Sequence, residues 1–279
     1  MTLMLTYVGL VLALAAGVGG LHLLPRLGAG GRAAVDAIAK APLLDVVVAL
    51  LTLGPWLAAW AVGGWVHDGL GWSLLYLLVA IAAQYTVLVS WCRLHEWAHR
   101  EVLAGPRLVK SLNRAVGPTR NYVAVYWTSL AVPLFNAIRL VEYVVYPPLT
   151  WLIGLPKYKD HEWVNVSRHK FAGLVGGDRI WCLYCDWMTG VWSLGSEMLR
   201  NIESFWCPIR FRSDLKCDHC KLDFPDVQDQ WVAADSDVTA ATAKLNQMYP
   251  GPQGVNAWFG HPSRVTVEGQ PQNPEAANN

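Results

Sequence analysis

Residues 72–91 read WSLLYLLVAIAAQYTVLVSW, from Trp72 to Trp91, with no acidic, basic or histidine side chain. A helix of about 20 residues covers the ~30 Å hydrocarbon core of a bilayer, so this stretch predicts a membrane span. Leu3–Leu24 and Leu43–Val66 read the same way, and their only ionic or imidazole side chains, His22 and Asp45, sit near an end. The whole composition agrees: 53% of the 279 residues are hydrophobic, 15% are charged and the mean hydropathy is +0.26. Such figures exclude a wholly soluble enzyme, a disordered chain and a disulfide-scaffold toxin. With 22 basic and 21 acidic residues the net charge is +1, so no basic field points to nucleic acid. No Gly-rich phosphate loop or dinucleotide fingerprint is present, and no nucleotide partner is expected. The 15 tryptophans suit the water–lipid boundary.

Orientation follows the positive charges. The loop after the first span carries Arg26, Arg32 and Lys40, whereas the turn after the second carries only His67 and Asp68. Beyond the third come Arg93, Arg100, Arg107, Lys110, Arg114 and Arg120. The amino terminus is therefore expected outside, and the 26–42 loop and everything from Arg93 inside. The first stretch has no preceding positive charge and no small-residue cleavage site, which reads as a retained helix rather than a signal peptide. Residues 121–156 are interrupted by Pro133, Arg139, Glu142, Pro147 and Pro148. They read as interfacial or re-entrant helices, with a fourth span as the alternative.

From Lys157 the chain is soluble in character. Val191, Leu194, Met198, Leu199, Ile202 and Phe205 recur at helical spacing and predict a helix over 186–206. A second helix is predicted from Ser236 as N-cap to about Met248. The Pro/Gly/Asn/Gln-rich stretch from Gly251 reads as an extended tail suited to wrapping a partner. The expected organisation is thus membrane helices over 1–92, a juxtamembrane segment over 93–156, a cysteine-rich metal-binding domain over 157–250 and a tail over 251–279.

Cys92, near the end of the third span, reads as packing. The other five cysteines fall between 182 and 220: Cys182 and Cys185, Cys207, then Cys217 and Cys220. Two Cys-x-x-Cys pairs present four thiolates suited to a tetrahedral structural Zn2+, and a cytoplasmic setting favours metal over disulfides. A continuous 20-residue helix is ~30 Å long. It would leave Cys207 far from the first pair, and ten extended residues at ~3.3 Å each just bring Cys217 back. The expected ligands are then Cys182, Cys185, Cys217 and Cys220. A break at Gly190 or Gly195 would let Cys207 rejoin, and His219 is a further alternate. Iron or copper, with an electron-transfer or metal-handling role, is the other use of such pairs. No His follows the second cysteine of a pair, so this is not the ordinary haem-attachment signal.

Asp178-Arg179-Ile180-Trp181-Cys182-Leu183-Tyr184-Cys185, followed by Glu203 and Phe205-Trp206-Cys207-Pro208-Ile209-Arg210, resembles a motif of uncharacterised bacterial membrane-associated proteins. The resemblance covers about 165–210 and implies no activity. It implies that Cys182, Cys185 and Cys207 belong together. Where that motif has Lys-His this chain has Arg210 and Phe211, leaving Cys217 or Cys220 to replace the histidine.

His95-Glu96-Trp97-Ala98-His99 satisfies H-E-x-x-H, which sets two imidazoles on one helical face with a glutamate as general base. The zinc-peptidase reading needs Glu96 as that base and a third ligand beside His95 and His99, for which Glu142 is the best placed by type. Against it stand Arg93, Arg100 and Glu101, which make a juxtamembrane helix end the simpler reading. His161, Glu162 and His169 form no triad that can be placed. The expectation is an all-α protein of a bacterial inner membrane, with three or four transmembrane helices, interfacial helices and a metal-stapled cytoplasmic domain. Its expected role is that of a non-catalytic accessory, assembly or structural subunit of a membrane complex.

Overall fold

The computed structural model describes residues 2–67, 69–207, 209 and 232–248. Among them regular structure is helical, and only two isolated bridges, Lys40–Asn165 and Ile209–Val232, pair backbone as a sheet would. The helices are α1 (Thr2–Leu23), α2 (Gly28–Ile38), α3 (Leu43–Thr52), α4 (Gly54–Val66), α5 (Leu70–Ala98), α6 (Arg100–Leu103) and α7 (Leu108–Val116). They continue with α8 (Pro118–Thr128), α9 (Val132–Val144), α10 (Tyr146–Leu152), α11 (Asp160–Trp163), α12 (Gly176–Trp206) and α13 (Val238–Met248).

Three helical runs, Thr2–Ile38, Leu70–Ala98 and Pro118–Leu152, are long and apolar enough to cross a membrane, and α3 with α4 makes a fourth run bent by 44°. The chain is a multi-pass membrane protein. Residues 121–156, read as interfacial or re-entrant helices with a fourth span as the alternative, lie largely in a run that meets the spanning criteria of length and composition. Pro133 falls in the first turn of α9, and Pro147 and Pro148 in the first turn of α10, where a missing N–H costs nothing. Conversely, the expected 43–66 span is the broken one. Pro55 has no N–H for the Leu51 carbonyl, and an unpaired carbonyl inside a bilayer is costly. Gln84 of α5 replaces that donor: its Nε2 donates to the Leu51 and Thr52 carbonyls at 2.8 and 2.7 Å. Trp56 Nε1 in turn donates to Gln84 Oε1 at 2.5 Å.

The chain forms two compact units. Among the described residues, one comprises those up to Arg139 with Asp160–Trp192, the other Leu140–Lys159 with those from Ser193 onward. In the first unit α4 and α5 meet through Ala59, Tyr76 and Ala80, all fully buried, with Leu3, Leu10 and Trp56 packed against them. A Cβ on Gly63 would lie 3.0 Å from the Ser73 Cα, so glycine lets the two helices approach this closely without displacing a neighbour. The α2–α3 connection is pinned where Ala41 N–H donates to the Val164 carbonyl and Val166 N–H to the Ala39 carbonyl, at 2.9 and 2.8 Å. On α7, Leu108, Leu112 and Val116 stay exposed at four-residue spacing while Lys110 and Arg114 carry the charge, the pattern of an interfacial helix.

Helix α12 begins ten residues before the expected start at 186, so the cysteine pair lies within it. It runs unbroken for 31 residues past Gly190 and Gly195. A Cβ on Gly190 would sit 2.5 Å from the Trp163 carbonyl oxygen, so this glycine serves a close approach rather than a break. The hairpin that would return Cys207 to Cys182 and Cys185 is not formed. Trp187, Val191, Leu194 and Met198 make the buried stripe, whereas Leu199 is exposed. In the second unit the Tyr146 hydroxyl donates to the Pro156 carbonyl at 3.0 Å, and fully buried Asn201 donates to the Tyr158 hydroxyl. Asp237, one residue beyond the expected cap, accepts the Ala240 N–H at 2.9 Å to start α13.

Candidate functional site

The H-E-x-x-H stretch occupies the last turn of α5. One turn apart, the His95 and His99 rings stack with centroids 4.3 Å apart at 17°. Helix α1 adds His22, whose ring stands edge-on at 5.2 Å from His95 and 6.3 Å from His99. Trp91 closes the group 4.6 Å from His95. The Gly176 N–H donates to Nδ1 of buried His95 at 3.3 Å, so the neutral ring keeps its proton on Nε2. His99 Nδ1 donates to the His95 carbonyl at 3.0 Å. His22 belongs to this cluster only through the packing of α1 on α5, and no sequence spacing announces it. Glu142, the expected third ligand, is buried in the second unit.

Glu96 is tied into a charged clamp. Arg107 Nη2 donates to its Oε1 at 3.1 Å, and Arg93 lies 3.7 Å from its Oε2. Arg107 Nε donates to Asp178 Oδ2 at 2.7 Å, and the Val109 N–H donates to Asp178 Oδ1 at 3.1 Å. The Arg107 and Asp178 side chains are 6% and 7% exposed, which makes this a buried pair. Burial alone would lower the Arg107 pKa, but its hydrogen bonds to Asp178 and Glu96 outweigh it and hold the guanidinium charged. Gly176, at φ +55°, opens α12 directly over the motif: a Cβ there would lie 2.6 Å from Glu96 Cγ and Oε1. A metallopeptidase base has to face a metal-bound water. Here Glu96 pairs with Arg107, which also bonds Asp178 at the start of α12.

A second cluster repeats the pattern. Arg139 of α9 donates through Nε to Asp45 Oδ2 at 2.9 Å and through Nη2 to Asp160 Oδ2 at 3.1 Å. Trp187 Nε1 donates to Asp45 Oδ1 at 2.9 Å. The Arg139 and Asp45 side chains are 4% and 8% exposed. Buried charges within apolar helices persist when paired and hydrogen-bonded in this way.

On α12, Cys182 is half-buried and Cys185 exposed, one turn apart. Burial pushes the Cys182 thiol up, partly opposed by nearby Arg168. Asp186 accepts the Ser167 and Arg168 N–H groups at 2.8 and 3.1 Å and holds the preceding loop beside the pair. Cys207 is exposed just past the helix, and Cys92 is half-buried on α5. Cys217, Cys220 and His219 lie outside the described residues. Among the described residues no group of three or more His, Cys, Asp or Glu side chains is placed to hold a metal ion. His169, whose Nδ1 donates to the Val166 carbonyl at 2.9 Å, and Asn165, which donates to the His161 and Glu162 carbonyls at 3.2 Å, serve local loop structure.

Beside the histidine cluster the first unit holds a half-open cavity of ≈ 410 Å³, walled by α1, α3, α4, α5, α12, residues 129 and 130 and the start of α9, with Trp91 shared between the two. No family model, curated protein or solved structure matches the chain.

Proposed function

We propose that this chain is a non-catalytic accessory, assembly or structural subunit of a bacterial membrane complex, with its C-terminal region stapled by zinc through Cys182, Cys185, Cys217 and Cys220. The observation that carries the non-catalytic reading is the engagement of Glu96 by Arg107, with Gly176 packed on the same carboxylate. It makes the one motif with catalytic form part of the scaffold. The zinc staple is supported by chemistry and spacing: two cysteines one helical turn apart supply half of a tetrahedral site, and a second Cys-x-x-Cys follows. The resemblance read over about 165–210 agrees with a bacterial inner-membrane location. An amino terminus outside follows from the distribution of Lys and Arg, and a cytoplasmic C-terminal domain follows with it where Pro118–Leu152 re-enters rather than crosses.

Elemental analysis of the detergent-purified full chain, with an absorbance spectrum, tests this reading. One zinc per chain, abolished by Cys182→Ser and unchanged by His95→Ala, is expected. Zinc lost with His95→Ala, or iron or copper with visible colour, overturns it in favour of a membrane-edge metal centre. Proteolysis lost in Glu96→Gln without loss of fold would establish the peptidase instead.

A further inference from the structure

We propose that the apolar cavity of the first unit binds a neutral, flat, carbonyl-bearing lipid of the quinone class. Its volume, ≈ 410 Å³, falls in the range of about 300–1,000 Å³ that small-molecule sites occupy. No Asp, Glu, Lys, Arg or His lines it, so the ligand carries no charge. Leu14, Val18, Ile81 and Leu88 come from helices in spanning runs, so the ligand arrives from the bilayer rather than from water. Trp56, Tyr85, Trp91, Trp181 and Tyr184 contribute aromatic rings to the walls. Aromatic surfaces favour a flat ring over a saturated chain.

The polar groups define the rest of the ligand. Gln84 is engaged with the α3–α4 break. Ser129 Oγ donates to the Tyr126 carbonyl at 2.6 Å, so the Tyr85 hydroxyl is the donor in its 2.5 Å bond to Ser129. Thr52 Oγ1 donates to the Val48 carbonyl at 2.7 Å. The Tyr184 hydroxyl differs: it is buried and has no hydrogen-bond partner among the described residues. The Tyr184 ring lines the cavity, and a ligand carbonyl that meets the hydroxyl once the ring turns supplies the acceptor it lacks. A hydrocarbon tail offers neither ring nor acceptor. The inference concerns binding alone and is independent of the zinc staple.

The test uses the full chain in phosphatidylcholine nanodiscs and a photoreactive azido analogue of a short-chain ubiquinone, with labelled peptides mapped by mass spectrometry. Saturable labelling at 129–133 and 180–184 is expected, competed at least tenfold by unlabelled short-chain ubiquinone. Tyr184→Phe is expected to weaken it several-fold, and Leu88→Trp, which fills the cavity, to abolish it. Labelling that does not saturate, or that spreads evenly over the lipid-facing helices, overturns the proposal. So does equal competition by decylbenzene or oleyl alcohol, which lack the carbonyl or the ring, or unchanged affinity in Tyr184→Phe. The competition series needs only the unmodified chain, so a variant that fails to fold does not rescue the idea.

Discussion

Two arginines in the first unit do the same work in different surroundings. Arg139 lies in a spanning run between Asp45 and Asp160, and Trp187 of α12 completes the bonding of Asp45. Arg107 lies just before α7 between Asp178 of α12 and Glu96. Helix α12 is therefore fastened twice, at its first turn and nine residues later, to elements far apart in the chain. The difference lies in setting and in partners. Each cluster has one sealed carboxylate, Asp178 or Asp45, and one partly exposed, Glu96 at 22% or Asp160 at 27%, but Glu96 has a second cation, Arg93, and Arg139 sits in a run apolar enough to span a membrane. The Arg107 and Arg139 clusters are thus an outer and an inner version of one fastening.

Breaking the inner version costs more. Arg139→Leu removes the cation from two carboxylates and leaves Asp45 its Trp187 N–H among apolar helices, and a loss of about 3–5 kcal/mol is expected, read as a large fall in the detergent-solubilised melting temperature. Arg107→Leu leaves Asp178 its Val109 N–H and Glu96 its Arg93. Its expected loss is about 1–3 kcal/mol by the same measurement. Equal losses would show that the second cation and the apolar surroundings do not separate the two clusters.

A smaller change sharpens the outer cluster. Gly176→Ala places a methyl group against Glu96 at a positive φ, and left-handed backbone alone costs about 1–2 kcal/mol. Adding Glu96→Ala should recover the overlap part of that loss but not the backbone part. A fully additive double variant would show that the contact is not tight.

The smallest effect is a pH response from the loop beside α12. Burial lowers the His169 pKa below its ordinary value of 6.5, so the folded chain binds its proton less readily than the unfolded one. The stability this contributes is complete above 6.5 and declines as pH falls from there toward the lowered folded value. His169→Gln should flatten that part of the pH–stability curve. An unchanged curve would show that other histidines carry it.

Much of this molecule is written in local sequence. Long uncharged stretches such as Trp72–Trp91 determine membrane helices, because about 20 apolar residues match a bilayer whatever surrounds them. The Val191, Leu194 and Met198 stripe determines one face of α12 in the same local way. Breaks and partners are less local. Pro55 marks a weak point in a span, but only the packing of α5 brings Gln84 there to satisfy the freed carbonyl, and Gly190 turned out to admit a neighbour rather than end a helix. The surroundings of His95-Glu96-x-x-His99 are set wholly by tertiary contacts. Nothing in the spacing of those residues tells that Arg107, Asp178, Gly176 and His22 would converge on them. A hydrogen bond or ion pair between distant segments depends on three-dimensional approach, and residue type alone carries no record of it.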